Sequence, residues 1–445
     1  MIPRLLAALL VALCTPSSTL GFTLPHQQAA ATARVVSSAQ LLATGNNNNN
    51  DEPPSSSSSS IVDRRSALEQ GGVALSSLLL SSLVMNQQPQ PAYAAPDYTE
   101  SSKKQRILIT GSNSGLGLDA AQRLVARGHE VVLACRTLEK ANAAADRIKF
   151  NIANDSDDAV AANTLLKSIK LTPMECDLAD LSSIDKFVNN LNGQAPFDAV
   201  CYNAGLARNT GAKDVARTKD GFELTVGTNH LGHFYLNHLL LPSMLNKDSG
   251  RIVVTASSVH DPDSPGGAQG ELATLGDLKG FENAVAGGGS KQFDMVDGGE
   301  FNADKAYKDS KLCNVLFTRE LQRRLEASGS NIKVNSFTPG LIVSSGLFRD
   351  QNKVFTKVFD VAATKILKVG ESIHYGGGAL EYMTLSAKVG EKGGMYYYSA
   401  PGSGKYGDDA YGKQFDASEV SKEARESDEG KAKRFWELSE KLVGI

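Results

Sequence analysis

The chain has 445 residues, 41% of them hydrophobic and 21% charged, with a formal net charge of −3. That length supports one large or two ordinary domains with a sizeable core, and the near-neutral balance excludes the strongly basic face of a nucleic-acid binder. Of the five cysteines, Cys14 lies in a leader, and Cys135, Cys176, Cys201 and Cys313 stand singly in apolar surroundings. No Cys/His ligand spacing occurs, so neither a metal site nor a disulfide framework is expected.

Residues 1–22 combine an early arginine, an apolar run and small residues before Gly21-Phe22, the form of a secretory signal peptide. Residues 23–50 lack acidic side chains and are rich in Ala, Ser and Thr, which is how a transit peptide is composed. Signal followed by transit, with Phe22 at the junction, resembles the bipartite leaders of algae with secondary plastids. The homopolymers Asn46–Asn50 and Ser55–Ser60 cannot bury enough apolar surface to offset ordering entropy. Arg64-Arg65, a short apolar run and the A-x-A site Ala92–Ala94 are similar to a thylakoid transfer signal; the alternative is a stromal protein with a long leader. The stroma, the thylakoid surface and the lumen all stay open. The expected domains are a signal at 1–22, a low-complexity transit leader at 23–94, and one folded domain over 95–445.

That domain opens with Arg106–Thr110, short and β-branched, as a buried parallel strand should be. Gly111, Gly115 and Gly117 follow, set among Ser112, Asn113, Ser114 and Leu116, and a helical pattern runs on to about Arg127. Glycines between a strand and a helix let the backbone turn tightly and approach a pyrophosphate, whose charge meets the helix N-terminus. A second strand, Glu130 to Cys135, ends at Arg136. Where an acidic residue would take a ribose hydroxyl, Arg136, with Lys140, suits the 2′-phosphate of NADP. Further apolar runs end at Cys176-Asp177-Leu178, at Asn203-Ala204-Gly205 and at Ser257. Strands alternating with helices predict a doubly wound α/β fold with a parallel, Rossmann-type sheet and a crevice at the carboxyl ends of the strands.

Tyr307 and Lys311 stand four apart in "AYKDSK", one turn apart on a single helix face. A lysine cation beside a phenol favours the phenolate and is expected to lower its pKa.

The TGxxxGxG spacing, the NAG string, Asn229 in "TNHLGHF", Ser257, Tyr307 and Lys311 resemble, in order, the short-chain dehydrogenase/reductases. The resemblance implies that Tyr307, Lys311, Ser257 and Asn229 are catalytic: Ser257 orients substrate or tyrosine, Lys311 holds the nicotinamide ribose, and Asn229 carries a water relay. It implies NADPH on the glycine loop, with Asp177-Leu178 beside the adenine, Asn203-Ala204-Gly205 along the cofactor, and Pro339-Gly340 completing that side. "DGFELTVGTNHLGHF", "FDMVDGGEFNADKAYKDSKLCN", "SSGLFRD" and "FWELSEKLVG" resemble more narrowly the light-dependent protochlorophyllide oxidoreductases, as does the glycine-rich insertion 259–302. That family implies light-driven reduction of the ring D double bond of protochlorophyllide in a plastid, inside an apolar pocket walled by the insertion and by 341–384. Peripheral contact with plastid membranes and self-association are left open.

One departure is Leu341, where the family carries a cysteine after Pro-Gly. "VGESIHYGGGALEYM" also fits the family pattern poorly. The competing reading is a light-independent plastid reductase acting on another tetrapyrrole, a carotenoid or a lipid carbonyl. From Glu419 to Lys441 the charge pattern predicts an amphipathic C-terminal helix.

Overall fold

The computed structural model describes residues 103–445 except 156–158, 243–244, 247, 289–290, 345–346, 348–362, 364–369, 401, 403–414 and 427–429. The leader segments expected over 1–94, and most of "SSGLFRD", lie outside the described residues.

Eight strands form one sheet: β1 (Arg106–Thr110), β2 (Glu130–Cys135), β3 (Lys170–Glu175), β4 (Ala199–Tyr202), β5 (Arg251–Thr255), β6 (Lys333–Phe337), β7 (Tyr396–Tyr398) and β8 (Asp416–Ser418). Their order is β3-β2-β1-β4-β5-β6-β7-β8. Neighbouring strands from β3 through to β7 pair parallel, and β8 pairs antiparallel with β7. β1 and β4 are buried along their whole length, which explains why their sequences are apolar runs without alternation. Strand order reverses between β1 and β4, the point at which a doubly wound sheet opens a ligand crevice.

Each sheet face has its own apolar core. One joins Val132, Val200, Ile252 and Val334 to Phe234, Phe317 and Phe435; the other joins Ile107, Val131 and Val253 to Leu124, Tyr375 and Met383. On the second face, helix α1 (Gly115–Ala126) packs against helix α9 (Ile373–Leu385). Three consecutive glycines inside α9, costly to a helix by about 1 kcal/mol each relative to alanine, are what permit this. A Cβ on Gly377 would fall 2.1 Å from Asp119 Oδ1, and one on Gly376 would fall 2.3 Å from Ile342 Cδ1. α9 therefore packs one of its faces into the core.

Helix α8 (Ala303–Ala327) starts at the cap Asn302, whose side chain accepts from Lys305 N at 3.0 Å. One face of α8 holds the insertion down. Lys305 Nζ donates to Thr274 O at 2.8 Å, and Lys308 Nζ donates to the carbonyls of Gln269 and Glu271. Thr274 N in turn donates to Asp309 at 3.0 Å.

The C-terminal segment forms two helices, α11 (Lys422–Glu426) and α12 (Lys431–Val443), in place of the single helix expected, with Gly430 capping the second. Phe435, Trp436, Leu438 and Leu442 of α12 are buried. Trp436 stacks on Phe317 with a 5° interplanar angle, so the apolar face of α12 is spent on the core. Among the described residues no helix is long and apolar enough to cross a membrane.

Candidate active site

Every residue singled out in the sequence follows the carboxyl end of a strand or sits on a helix beside it. Gly111 follows β1, Arg136 follows β2, Asp177 follows β3, Asn203 follows β4, Ser257 follows β5 and Pro339 follows β6. A parallel sheet brings these ends to one edge, because every strand points the same way.

The glycine loop is shaped by close approach. Gly111 has φ +67°, and a Cβ there would lie 2.8 Å from Ala204 Cα. A Cβ on Gly117 would lie 2.5 Å from Asn203 Nδ2. Loop and NAG strand tip are thus pressed together, and only hydrogen fits between them. Asn203 Nδ2 donates to Thr110 O at 2.9 Å, and the backbone N–H groups of Asn203 and Ala204 both donate to Thr110 Oγ1, at 2.9 and 3.0 Å.

Ser114 is the N-cap of α1 but makes no side-chain capping bond. The first-turn amides of α1 are left for an anion, which fits a pyrophosphate. Arg136 is exposed just beyond β2, while Ser112 is buried beneath it with its hydroxyl 3.5 Å from Cys135 Sγ. Asp177 Oδ1 accepts from Ala179 N at 3.0 Å, fixing the turn that carries Leu178.

Asn229 lies in a π-helical turn, Gly227–Leu231, inserted between α5 (Leu224–Val226) and α6 (Gly232–Leu240). Such turns free backbone groups from the helical ladder and recur at functional sites. The Asn229 side chain is fully engaged as a donor. Its Nδ2 donates to Leu206 O at 2.9 Å and to Ser310 Oγ at 3.0 Å, while Oδ1 accepts from Leu206 N at 2.9 Å. Ser310 Oγ donates on to Tyr307 O at 2.6 Å. A relay water could only donate to Oδ1, which keeps one lone pair.

Tyr307 is half-buried on α8, with the Ser257 hydroxyl as the neighbour that favours its phenolate. Lys311 Nζ stands 5.5 Å from the Tyr307 ring centroid and donates to Thr255 O at 3.1 Å. Asn314 Nδ2 donates to the same carbonyl at 3.2 Å. The electrostatics differ from the sequence expectation. Burial pushes the phenol of Tyr307 above its ordinary value, and the neighbouring Ser257 hydroxyl offsets only part of this. Burial also lowers Lys311 to about 8. Desolvation outweighs attraction here because the cation lies beyond hydrogen-bonding distance of the ring while both groups have lost water.

The sequence reading missed two members of this constellation, Thr110 and His233. Thr110 was legible as the threonine ahead of the glycine loop, but its partner His233 lies over a hundred positions away. Leu341 is half-buried after Gly340, and its carbonyl accepts from Glu371 N at 2.8 Å. Gly340 has φ +85°, and a Cβ there would lie 2.5 Å from Glu371 Cγ. Cys135, Cys176, Cys201 and Cys313 are free and buried.

Residues 105–268 match the short chain dehydrogenase family model. The chain is 35% identical over 364 residues to the chloroplastic protochlorophyllide reductase of Cucumis sativus, covering 81% of this chain and 83% of that relative. It belongs to the protochlorophyllide reductase family. The family's chloroplastic reductase A from Arabidopsis thaliana is 33% identical over 373 residues, covering 83% and 84% of the two chains. A crystal structure of an uncharacterised protein from Mycobacterium paratuberculosis aligns with a TM-score of 0.51 at 27% identity, covering 78% of this chain and 96% of that one. Membership makes the chain an oxidoreductase that uses a nicotinamide cofactor, on a Rossmann-type fold. The protochlorophyllide reductase family thus accounts for the long strings around Asn229 and Tyr307.

Proposed function

We propose that the chain uses NADPH and light to reduce the ring D double bond of protochlorophyllide to chlorophyllide, within a plastid. The observation that carries this reading is Lys311 set between the Tyr307 ring, at 5.5 Å, and the Thr255 carbonyl at the end of β5, at 3.1 Å, in a chain belonging to this family. NADPH, when bound, supplies the hydride to one ring carbon, once light has made the bound pigment electrophilic enough to accept it.

The chain's own residues do the rest. Gly111, Ser112, Asn113, Ser114, Gly115, Leu116 and Gly117 cradle the pyrophosphate, and Arg136 takes the 2′-phosphate that distinguishes NADPH from NADH. Asp177, Leu178, Asn203, Ala204, Gly205, Pro339 and Gly340 line the rest of the cofactor. Lys311 holds the ribose. A phenol kept protonated by burial is in the form that reduction needs, so Tyr307 donates a proton to the second ring carbon, with Ser257 orienting it. Asn229 ties the backbone of α8 to the loop after β4. The insertion, latched by Lys305 and Lys308, walls an apolar site and excludes water. Leu341 has no S–H to offer and packs against the macrocycle instead.

The test uses protein beginning at Ala95, mixed in darkness with NADPH and protochlorophyllide, with absorption recorded before and after a flash. A red shift to chlorophyllide after light alone is expected. Pigment turnover in darkness, or bound pigment that light leaves unchanged, would overturn the reading in favour of a dark reductase.

A further inference from the structure

We propose that His233 is a positioning residue that locks the π turn carrying Asn229 to the strand tip carrying the cofactor loop, through one fixed imidazole tautomer. The inference rests on the nicotinamide-dependent reading of the site.

The hydrogen-bond count decides the tautomer. His233 Nδ1 lies 3.0 Å from the carbonyl oxygen of Asn229, which can only accept, so Nδ1 carries the proton. Nε2 is therefore an acceptor, and it lies 2.9 Å from Thr110 Oγ1. Thr110 Oγ1 already accepts from the backbone N–H groups of Asn203 and Ala204. Its single proton is thus directed to His233, the alternative acceptor Cys201 O being further off at 3.3 Å. Each ring nitrogen is used once in its proper sense, while Thr110 Oγ1 accepts twice and donates once. The ring is 3% exposed, stands 5.1 Å from the ring of Tyr202, and is held well below its ordinary value, at about 4, by burial. A protonated ring would aim Nε2–H at a hydroxyl oxygen that already accepts from two backbone N–H groups.

His233 also explains why the path is continuous. From Thr110 it runs through His233 to the backbone of Asn229, then through the Asn229 amide to Ser310 and the Tyr307 carbonyl. The glycine-loop strand tip and the tyrosine helix are thus hydrogen-bonded to one another by way of a ring buried between them.

Two conservative variants separate the two halves. His233→Gln can reach Thr110 but not the Asn229 carbonyl, and His233→Asn can reach the Asn229 carbonyl but not Thr110. Losing one such bond is expected to change the affected step about tenfold. His233→Asn should weaken NADPH binding, read by cofactor fluorescence without any substrate, and spare the flash-driven rate at saturating NADPH. His233→Gln should keep NADPH affinity and lose the rate. Nitrogen-15 spectra of histidine-labelled wild-type protein should show a neutral ring protonated at Nδ1, unchanged between pH 5.5 and 8. Equal losses in both variants that follow the folded fraction, unchanged behaviour in both, or an Nε2-protonated or titrating ring would each overturn the inference. The cofactor and nitrogen-15 readings stand even if the pigment is not the substrate.

Discussion

Asn229 Oδ1 and Lys311 Nζ flank the same side of Gly205, and a methyl group added there would lie 3.5 Å from each. That is ordinary van der Waals contact, so the protein tolerates the methyl, which would occupy space that the proposed function gives to the cofactor. Gly205→Ala is expected to leave the melting temperature nearly unchanged and to weaken NADPH binding about tenfold or more. Gly111→Ala, with φ +67° and a Cβ 2.8 Å from Ala204 Cα, should instead destabilise the fold by about 1–3 kcal/mol. Thermal melts with and without NADPH distinguish the two, and a large loss of stability in Gly205→Ala would contradict the geometry.

Tyr307→Phe keeps the ring and removes the proton. Turnover should fall by about 100-fold or more, with NADPH affinity retained. Near-normal flash yield would take Tyr307 out of the chemistry and leave solvent as the donor.

Lys311 links activity and stability with opposite signs. Its folded-state value of about 8 lies below the ordinary 10.5, so the folded protein carries a buried charge that the unfolded chain bears freely. The penalty is full below pH 8 and is relieved as pH rises from about 8 toward 10.5. Lys311→Met should therefore raise stability at pH 7, by up to about 3 kcal/mol, while abolishing turnover. In the wild type, activity should decline above about pH 8 as the cation is lost. A variant less stable than wild type, or a rate flat to pH 10, would count against this.

Arg136 is exposed beyond β2, where its charge can meet only what binds there. Arg136→Ala should raise the dissociation constant for NADPH about tenfold or more and change that for NADH little. Equal effects on both cofactors would show that the arginine does not read the 2′-phosphate.

Four buried histidines make the fold acid-sensitive. Burial holds His129 at about 4, His230 at about 3 and His233 at about 4, and lowers His260 as well, all from 6.5. Between pH 6.5 and 4 the unfolded chain binds more protons, so stability falls as pH falls, by about 2 kcal/mol at pH 5 for each of the first three. Asp309, raised by burial to about 7, works in the other direction over the same range, as do Asp155, Asp220 and Glu223, which burial also raises, so they offset part of the loss. Urea midpoints at pH 7 and pH 5 measure the difference. An unchanged midpoint would show that the histidines are hydrated in solution.

The pattern of short apolar runs, each closed by Gly, Asp-Leu, Asn-Ala-Gly or Ser, was enough to derive a parallel sheet with its site at the carboxyl edge. It was enough because burial on both faces forces a strand to be apolar throughout, and because the residue after each strand faces the crevice by topology alone. Tyr307 and Lys311 were legible for an equally local reason, their spacing on one helix. What local spacing could not supply was desolvation. Whether a cation four positions along a helix lowers the pKa of a phenol depends on how much water each has lost, and here burial acts more strongly than attraction.

The tertiary structure also decided which elements form the site. "HYGGGALEYM" reads as a poor match to the family pattern and proves to be a helix whose glycines let it lie against α1, with Asp119 where a side chain would be. The C-terminal charge pattern reads equally as a surface or a core helix, and stacking of Trp436 on Phe317 places it in the core. His233 is ordinary in sequence; its role exists only because folding brings Thr110 and the Asn229 carbonyl within 3.0 Å of opposite ring nitrogens. Sequence determined the architecture and the chemical groups, since both follow from periodicity and residue type. Only the packed molecule determined protonation and connection, since these depend on distance and on the exclusion of water.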